Sequence, residues 1–152
     1  MCKTIYLILH NIRSAYNVGS IFRTADGAGV AKIFICGISP TPEDAKVLKT
    51  SLSAEKTVPW EYHAQTWRLL EKLKKDGLQI VALEQAPKSI DYRKFKLKLP
   101  LALIVGNEVH GLNKKILSLA DKIIEIPMYG KKESLNVAVA IGIALYKLLE
   151  NK

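Results

Sequence analysis

The chain has 152 residues, 49% of them hydrophobic, and this length and composition predict one globular domain, residues 1–152, with a sizeable core. No apolar run is long enough to cross a bilayer and no signal peptide is recognisable, which favours a soluble, cytoplasmic protein. The formal net charge of +9 indicates a polyanionic partner, although a solvated basic surface is the alternative.

The first quarter of the chain predicts a strand, a helix and a second strand. Residues 4–9 form a near-continuous hydrophobic run, typical of a strand in a parallel sheet covered on both faces. Asn17 is a plausible N-cap for the helix, which ends near residues 27–29, and one apolar face is formed by Val18, Ile21, Phe22, Ala25 and Ala28. Residues 32–38 predict the second strand.

The middle of the chain is irregular at first and then returns to helix and strand. Residues 39–59 contain three prolines and predict a loop with a short helix, a candidate substrate-facing segment. Residues 66–76 have the spacing of an amphipathic helix, and residues 79–83 have that of a buried strand. Cys2 and Cys36 make no disulfide framework, and Cys36 has the setting of a packed core thiol.

The C-terminal third predicts two further strand and helix pairs. Residues 101–105 form a buried strand, residues 113–120 a short helix, and a β-branched strand then ends at Pro127. Ser134 is a good N-cap for a last helix, which has no charged residue over residues 135–146. A helix that is apolar all round must be buried all round, so this one needs a second surface besides its own sheet.

Ser134 and Asn136 lie at the entrance of this last helix. A helix N-terminus presents unpaired N–H groups and a partial positive charge, which suits a carboxylate or a phosphate. The alternative is that both residues only cap the helix, and the local pattern leaves the two interpretations open.

The alternation of strands and helices predicts an α/β fold with a mostly parallel sheet and helices on both faces. The sequence lacks the glycine patterns of a P-loop and of a standard dinucleotide site, and no cluster of Cys, His and carboxylates has metal-ligand spacing. His10, His63 and His110 are isolated histidines and are interpreted as structural.

Three segments together resemble the motifs of the SpoU (TrmH-like) branch of the SPOUT RNA methyltransferases. Residues 17–25 read Asn-Val-Gly-Ser-Ile-Phe-Arg-Thr-Ala, and residues 104–112 read Ile-Val-Gly-Asn-Glu-Val-His-Gly-Leu. In residues 126–140, Ile-Pro-Met is followed by Ser-Leu-Asn-Val-Ala-Val-Ala. The motifs occur in the family's order and span most of the chain, which makes the match specific.

The resemblance implies a minimal, single-domain SPOUT-type α/β fold with a trefoil knot at its C-terminus, and a homodimer in which the last helix gains its second surface. It also implies transfer of a methyl group from S-adenosylmethionine to a ribose 2′-hydroxyl of RNA, which leaves S-adenosylhomocysteine. This is an SN2 displacement that needs an aligned ribose oxygen and no metal.

The resemblance also assigns roles to residues by motif position. The residues expected to line the cofactor are Leu83, Gly106, Ile126, Met128, Ser134 and Leu135. The expected catalytic group is Asn17, Arg23, Glu108, Ser134 and Asn136. Because a guanidinium does not lose its proton in a protein, we interpret Arg23 as a fixed cation. Glu108 is the only carboxylate in the motifs with a plausible role as the base, and the alternative is that it orients Arg23.

The RNA contacts predicted from the basic residues near the motifs are Arg13, Arg23, Lys131 and Lys132. Residues 88–98 carry five cations with Tyr92 and Phe95 between them, which fits phosphate contacts and base stacking, or equally an exposed edge strand protected by lysines. The resemblance favours tRNA over rRNA because some minimal members methylate the wobble ribose of tRNA. Residues 106–108 and 134–137 look closer to branches that act on the tRNA D-loop or large-subunit rRNA.

Two alternatives come from other functional classes. A non-catalytic RNA-binding protein on the same scaffold is disfavoured, because the complete catalytic set is present. An α/β enzyme of a small nucleotide is disfavoured by the basic charge and the missing phosphate loops.

Overall fold

The computed structural model describes residues 4–150, so Cys2 lies outside the described part. Its strands are Ile5–His10 (β1), Lys32–Cys36 (β2), Trp60–His63 (β3), Gln79–Leu83 (β4), Ile90–Asp91 (β5), Leu101–Val105 (β6) and Lys122–Glu125 (β7). Its α-helices are Ala15–Ala28 (α1), Ala45–Ser51 (α2), Thr66–Lys75 (α3), Lys114–Leu119 (α4) and Val137–Glu150 (α5). No helix within residues 4–150 is long and apolar enough to cross a membrane.

The strands form one parallel sheet in the order β3-β2-β1-β6-β4-β7-β5. Leu9 of β1 is level with Ile35 of β2 on one side and with Val105 of β6 on the other. The loops that follow β1 and β6 therefore meet at the carboxyl edge of the sheet, where ligands bind in open α/β folds. The predicted parallel α/β class is confirmed.

Alternate residues of the strands enter two hydrophobic cores, one on each face of the sheet. Leu7 and Leu9 of β1 pack in the core covered by α1 and α5, whereas Ile8 packs in the core covered by α3 and α4. Strands buried on both faces account for the nearly continuous apolar runs in the sequence. Cys36 is a buried free thiol in the second core, as predicted.

Two predicted helix caps are wrong by two or three residues. The N-cap of α1 is Ser14, whose Oγ accepts the main-chain N–H of Asn17 at 3.2 Å. The cap of α5 is provided by Asn136, whose Oδ1 accepts the N–H groups of Ala138 at 2.9 Å and Val139 at 3.2 Å. Ser134 lies before this turn, so its role is not to cap α5.

The two edges of the sheet differ most from the sequence-based expectation. Trp60–His63 forms β3, which was not predicted, because a short, partly exposed edge strand has no clear apolar pattern. In the basic stretch 88–98, only Ile90–Asp91 pairs with β7, and Tyr92–Lys94 forms a 3-10 turn. The stretch is therefore not the extended edge strand that the lysine alternation allowed.

Gly19 in α1 permits a close approach of α2. A Cβ at this position would collide with Thr50 Oγ1 and with the Val47 carbonyl oxygen, and it would lie 2.9 Å from the main-chain nitrogen of Ser51. Main-chain atoms of a packed helix cannot move aside without shifting the whole helix. The glycine of the first motif is thus explained by helix packing.

We predict that Gly19→Ala destabilises the fold by about 1–3 kcal/mol, because overpacking outweighs the better helix propensity of alanine. Gly27→Ala, in the same helix, is the matched control. A Cβ at Gly27 would meet only the hydroxyl of Tyr146, at 3.1 Å. Urea unfolding should show Gly27→Ala to be as stable as the wild type or up to about 1 kcal/mol more stable. Equal stability of the two variants would contradict this account of α1–α2 packing.

Candidate active site

A cleft of about 630 Å³ opens at the carboxyl edge of the sheet. Its walls come from the residues after β4, the loop after β6, the residues after β7 and the entrance of α5. These segments are distant in sequence and meet because their strands are neighbours in the sheet. A volume of this size is typical of a site for a small organic ligand.

The structure brings nearly all of the predicted site residues to this cleft. All six residues predicted for the cofactor line it: Leu83, Gly106, Ile126, Met128, Ser134 and Leu135. Four of the five predicted catalytic residues line it as well: Asn17, Glu108, Ser134 and Asn136. Arg23 is the exception, since it is exposed and lies in a second cavity of about 580 Å³ between α1, α2 and Tyr146.

Glu108 is the centre of a polar network on one wall of the cleft. Its carboxylate accepts the main-chain N–H groups of Arg13 at 2.9 Å and Ser14 at 3.1 Å, and the side-chain amide of Asn17 at 3.1 Å. The side-chain Oδ1 of Asn17 in turn accepts a hydrogen bond from the side-chain amide of Asn136 at 3.1 Å. The first, second and third motifs are thereby joined by a single chain of hydrogen bonds.

This network controls the protonation state of Glu108. Burial raises the pKa of the carboxyl, but the hydrogen bonds from Arg13, Asn17 and Ser14 outweigh burial and leave the pKa below its ordinary value. Glu108 is therefore ionised at neutral pH and poorly suited to accept a proton there. The hydrogen bonds assign it to holding Asn17 and the start of α1, and within residues 4–150 it makes no hydrogen bond or ion pair with Arg23.

The loop after β6 is folded around Asn107. The Oδ1 atom of Asn107 accepts the N–H groups of Val109 at 2.8 Å and His110 at 2.9 Å, and its Nδ2 donates to the Asn11 carbonyl at 2.9 Å. Gly106 contacts the far side of this loop, because a Cβ there would lie 2.5 Å from the Gly111 carbonyl carbon. A side chain at Gly106 would displace the loop that carries Glu108.

Glu84 and Gln85 line the cleft and were missed by sequence reasoning. The Glu84 carboxylate accepts the N–H of Leu112 at 2.9 Å and that of Gln85 at 3.0 Å, and Gly111 packs against it with a φ of 62°. The Gln85 side chain donates to the carbonyl of Glu133 at 2.7 Å across the cleft. Their position directly after a parallel strand is the signal that identifies them.

The segment before α5 offers main-chain donors to a ligand. Within the part of the chain that the structure describes, no main-chain N–H of residues 128–135 donates to another main-chain carbonyl. Leu83, Ile126, Leu135 and Val137 supply apolar surface in the same cleft. The lining of the cleft is mostly polar with this apolar surface beside it, and a nucleoside-like ligand, which has both an apolar ring and polar groups, fits such a lining.

The SpoU rRNA Methylase family model matches residues 4–146. The chain belongs to this family. It is 33% identical over 148 residues to the tRNA (guanosine(18)-2'-O)-methyltransferase of Aquifex aeolicus, a match that covers 95% of this chain and 68% of the relative. An AdoMet-bound rRNA methyltransferase structure from Sinorhizobium meliloti has a TM-score of 0.91 and 31% identity, covering 97% of this chain and 56% of that one.

A third SpoU-like neighbour is matched over almost its whole length. It is a solved structure concerned with the 2-OH methylation of C/U34 on tRNA, with a TM-score of 0.88, 25% identity, and coverage of 98% of this chain and 96% of that one. By contrast, this chain spans only 58–60% of the length of several other curated relatives. The shared part is the SpoU domain described above.

The predicted RNA-contact residues of the SpoU domain are not among the residues that line the cleft. Arg13, Lys131 and Lys132 are exposed. In the basic stretch 88–98, Arg93 donates through Nε at 3.0 Å to Asp91, so this cation is partly neutralised.

We predict that Glu108 makes the stability of the SpoU domain pH-dependent. The folded state holds its pKa below the ordinary value of about 4.5, so the charged form stabilises the fold above that pH. This contribution is lost as the pH falls through the folded-state pKa. The stability difference between wild type and Glu108→Gln, measured by urea unfolding, should be largest at neutral pH and shrink below about pH 4.5.

Glu43→Gln is the control for this pH series. The Glu43 carboxylate is exposed and accepts no hydrogen bond among residues 4–150. A Glu108→Gln difference that stays constant between pH 7 and pH 3 would show that the main-chain donors do not hold the charged form.

Proposed function

We propose that this chain transfers a methyl group from S-adenosylmethionine to a ribose 2′-hydroxyl of RNA, with tRNA as the favoured substrate. The observation that carries the proposal is the convergence of the six expected cofactor residues and four of the expected catalytic residues on one cleft. A tRNA substrate is supported by the Aquifex aeolicus relative and by the neighbour of nearly equal length. Because the substrate is RNA, we expect the protein to act in the cytoplasm.

The cleft fits the cofactor by shape and by donor set. Leu83, Ile126 and Leu135 would hold the adenine against apolar surface, and the free main-chain N–H groups of residues 128–135 would bind its polar edge. When bound, S-adenosylmethionine supplies a sulfonium methyl group that is open to SN2 displacement. Gln85 ties the residues before α5 to the end of β4, which keeps this pocket closed on one side.

The polar network orients the ribose. Asn17 is held between the Glu108 carboxylate and the Asn136 amide, so its rotamer is set from both ends. A hydroxyl that approaches the methyl group must lie in line with the bond that breaks, and fixed amide groups at the mouth of the cleft provide that alignment. The ionised Glu108 makes this wall negative and attracts a cation to it.

We infer that the cation is Arg23 from a second copy of the chain. Arg23 of the same chain lies in the other cavity. The chain leaves Val139, Ile143 and Tyr146 of α5 exposed, although residues 135–146 carry no charge. A contiguous exposed apolar face of this kind marks a protein interface, which supports a homodimer.

The strand order also supports the C-terminal trefoil knot that the family resemblance implies. β4 lies between β6 and β7 in the sheet, although β6 and β7 both follow it in the chain. Residues 126–136 then connect β7 to α5 beside the β4 and β6 loops. We propose that this part of the chain is threaded.

The proposed function is tested by incubating the protein with methyl-labelled S-adenosylmethionine and unmodified transcripts of bacterial tRNA or large-subunit rRNA. Nucleoside analysis should find 2′-O-methylated nucleosides, chiefly in tRNA. RNA binding without methyl transfer would instead support the non-catalytic alternative. Transfer to rRNA alone would contradict the tRNA assignment.

We predict that Ile143→Glu converts the dimer to a monomer, because it adds a charge to the exposed face of α5. Sedimentation at micromolar concentration should give the mass of one chain, with calorimetric affinity for S-adenosylmethionine kept within about threefold. Methyl transfer should be lost because no partner supplies Arg23. Ile38→Glu, at an exposed position after β2, is the control and should leave the dimer intact. A wild-type protein that sediments as one chain would contradict the dimer.

We predict that Arg23→Ala loses at least 100-fold in single-turnover methylation with RNA and cofactor saturating, because it removes the charge that stabilises the nucleophilic oxygen. Arg23→Lys should recover little, since it keeps the charge and loses the fork geometry. Both variants should still bind S-adenosylmethionine. If Arg23→Ala transferred the methyl group at the wild-type rate, Arg23 would have no catalytic role and would be only a surface residue.

A further inference from the structure

The two most exposed large hydrophobic residues of the described chain both lie by the cleft. Tyr129 is 82% exposed and directly follows Met128, which lines the cleft. Val109 is 69% exposed, belongs to the loop after β6, and itself lines the cleft. Single exposed hydrophobic residues are common on proteins. An aromatic ring that is almost wholly exposed beside a ligand cleft is less common. Such a ring presents a large apolar area to a ligand that enters the cleft.

The Tyr129 ring is held in place from its hydroxyl end. Arg93 donates through Nη2 to the Tyr129 hydroxyl at 2.8 Å. The Asp91 carboxylate fixes Arg93 in turn, accepting its main-chain N–H at 2.9 Å and its Nε–H at 3.0 Å. This chain links the 3-10 turn after β5 to the segment after β7.

The same arrangement leaves both faces of the ring open. Within residues 4–150, no aromatic ring stacks on Tyr129 and no cation lies over it. Holding the ring by its edge lowers the conformational entropy lost when a flat group binds to its face. A ring that is held at its edge with both faces exposed suits a planar ligand. It contributes nothing to the protein's own core.

We propose that Tyr129 is a stacking platform for an unpaired base of the substrate RNA. The inference rests on the proposed function and specifies how the RNA is recognised: a base beside the methylated nucleotide leaves its helical stack and lies on the ring. Sequence-specific proteins bind RNA mainly where bases are unstacked, and aromatic rings are the usual partners. The substrate site is therefore in a loop or other unpaired segment of the RNA.

The charges around the ring favour RNA over a second copy of the protein. The exposed cations nearest in sequence are Lys131 and Lys132, which no carboxylate pairs within residues 4–150, whereas Arg93 is paired with Asp91. Two copies meeting through this surface would oppose like charges, whereas an RNA backbone would neutralise them. The lysines and the ring then have separable roles, since phosphate contacts weaken with salt and stacking does not.

The test measures the affinity of two variants of Tyr129 for the unmodified tRNA transcripts used above, whether or not the wild-type protein methylates them. Tyr129→Phe keeps the ring but removes the hydroxyl that Arg93 holds, so it should lose only about two- to threefold in affinity for this RNA. Tyr129→Leu removes the ring and should lose about 5- to 100-fold in affinity and raise KM for RNA, with KM for S-adenosylmethionine unchanged. The slope of log affinity against log salt should be the same for all three proteins.

Two further variants serve as controls. Tyr62→Leu removes a half-exposed tyrosine on β3, at the opposite edge of the sheet, and should leave RNA affinity unchanged. The double variant Lys131→Ala/Lys132→Ala should lower the salt slope by about 0.7 to 0.9 for each lost phosphate contact.

Three results would overturn the inference. Tyr129→Leu could bind RNA as tightly as Tyr129→Phe, or it could lose affinity with a smaller salt slope, which would make the effect electrostatic. It could also change the sedimenting mass, which would assign the ring to a protein interface. A wild-type protein that transfers no methyl group fails the proposed function only, because RNA affinity of the variants is measured independently.

Discussion

The hydrogen bonds to the Glu108 carboxylate connect two parts of the chain on which the whole site depends. The carboxylate follows β6, and its donors at the start of α1 lie 91 to 95 residues earlier in the chain. Three donors around one carboxylate favour its ionised form and fix its orientation. Asn17 is oriented toward Asn136 because its amide nitrogen is engaged by Glu108. The position of α1 relative to α5 at the cleft thus depends on the hydrogen bonds of one carboxylate.

The parallel sheet makes this contact possible. β1 and β6 are paired parallel strands, so their carboxyl ends lie side by side. The loops that follow these two strands therefore meet directly. The same geometry brings the ends of β4 and β7 to the other wall of the cleft. Glycines at Gly106 and Gly111 let these loops approach closely, since a Cβ on either one would overlap the neighbouring segment. The cleft is therefore a consequence of strand order.

The uncharged part of helix α5 contacts the cleft, the core and the solvent-exposed surface. Ala140 lines the cleft, Ile141 and Leu145 are fully buried in the core under the sheet, and Ile143 faces outward. The outward face explains why a helix apolar on every side occurs in a chain whose remaining surface is rich in lysine. Its N-terminus, capped by Asn136, completes the polar network. The cleft, the core and the proposed dimer contact therefore share one helix. A substitution in this helix affects the surface that the substituted residue faces.

The sequence by itself determined the α/β class, the order of most strands and helices, and which motif residues would meet at the cleft. Buried parallel strands have unmistakable apolar runs, and the three motifs lie at their carboxyl ends, which is why nine predicted positions meet in one cleft. The sequence did not determine the caps at Ser14 and Asn136, because several polar residues near each helix start can cap it. Asn17 is instead held by Glu108 and Asn136, which lie far from it in the chain. It also missed β3, whose existence depends on main-chain pairing with β2 and not on its side chains. Tertiary structure alone separated Arg23 from the cleft of its own chain and joined Arg93 to Tyr129, because contacts between distant segments depend on how strands are ordered in the sheet, which local periodicity does not encode.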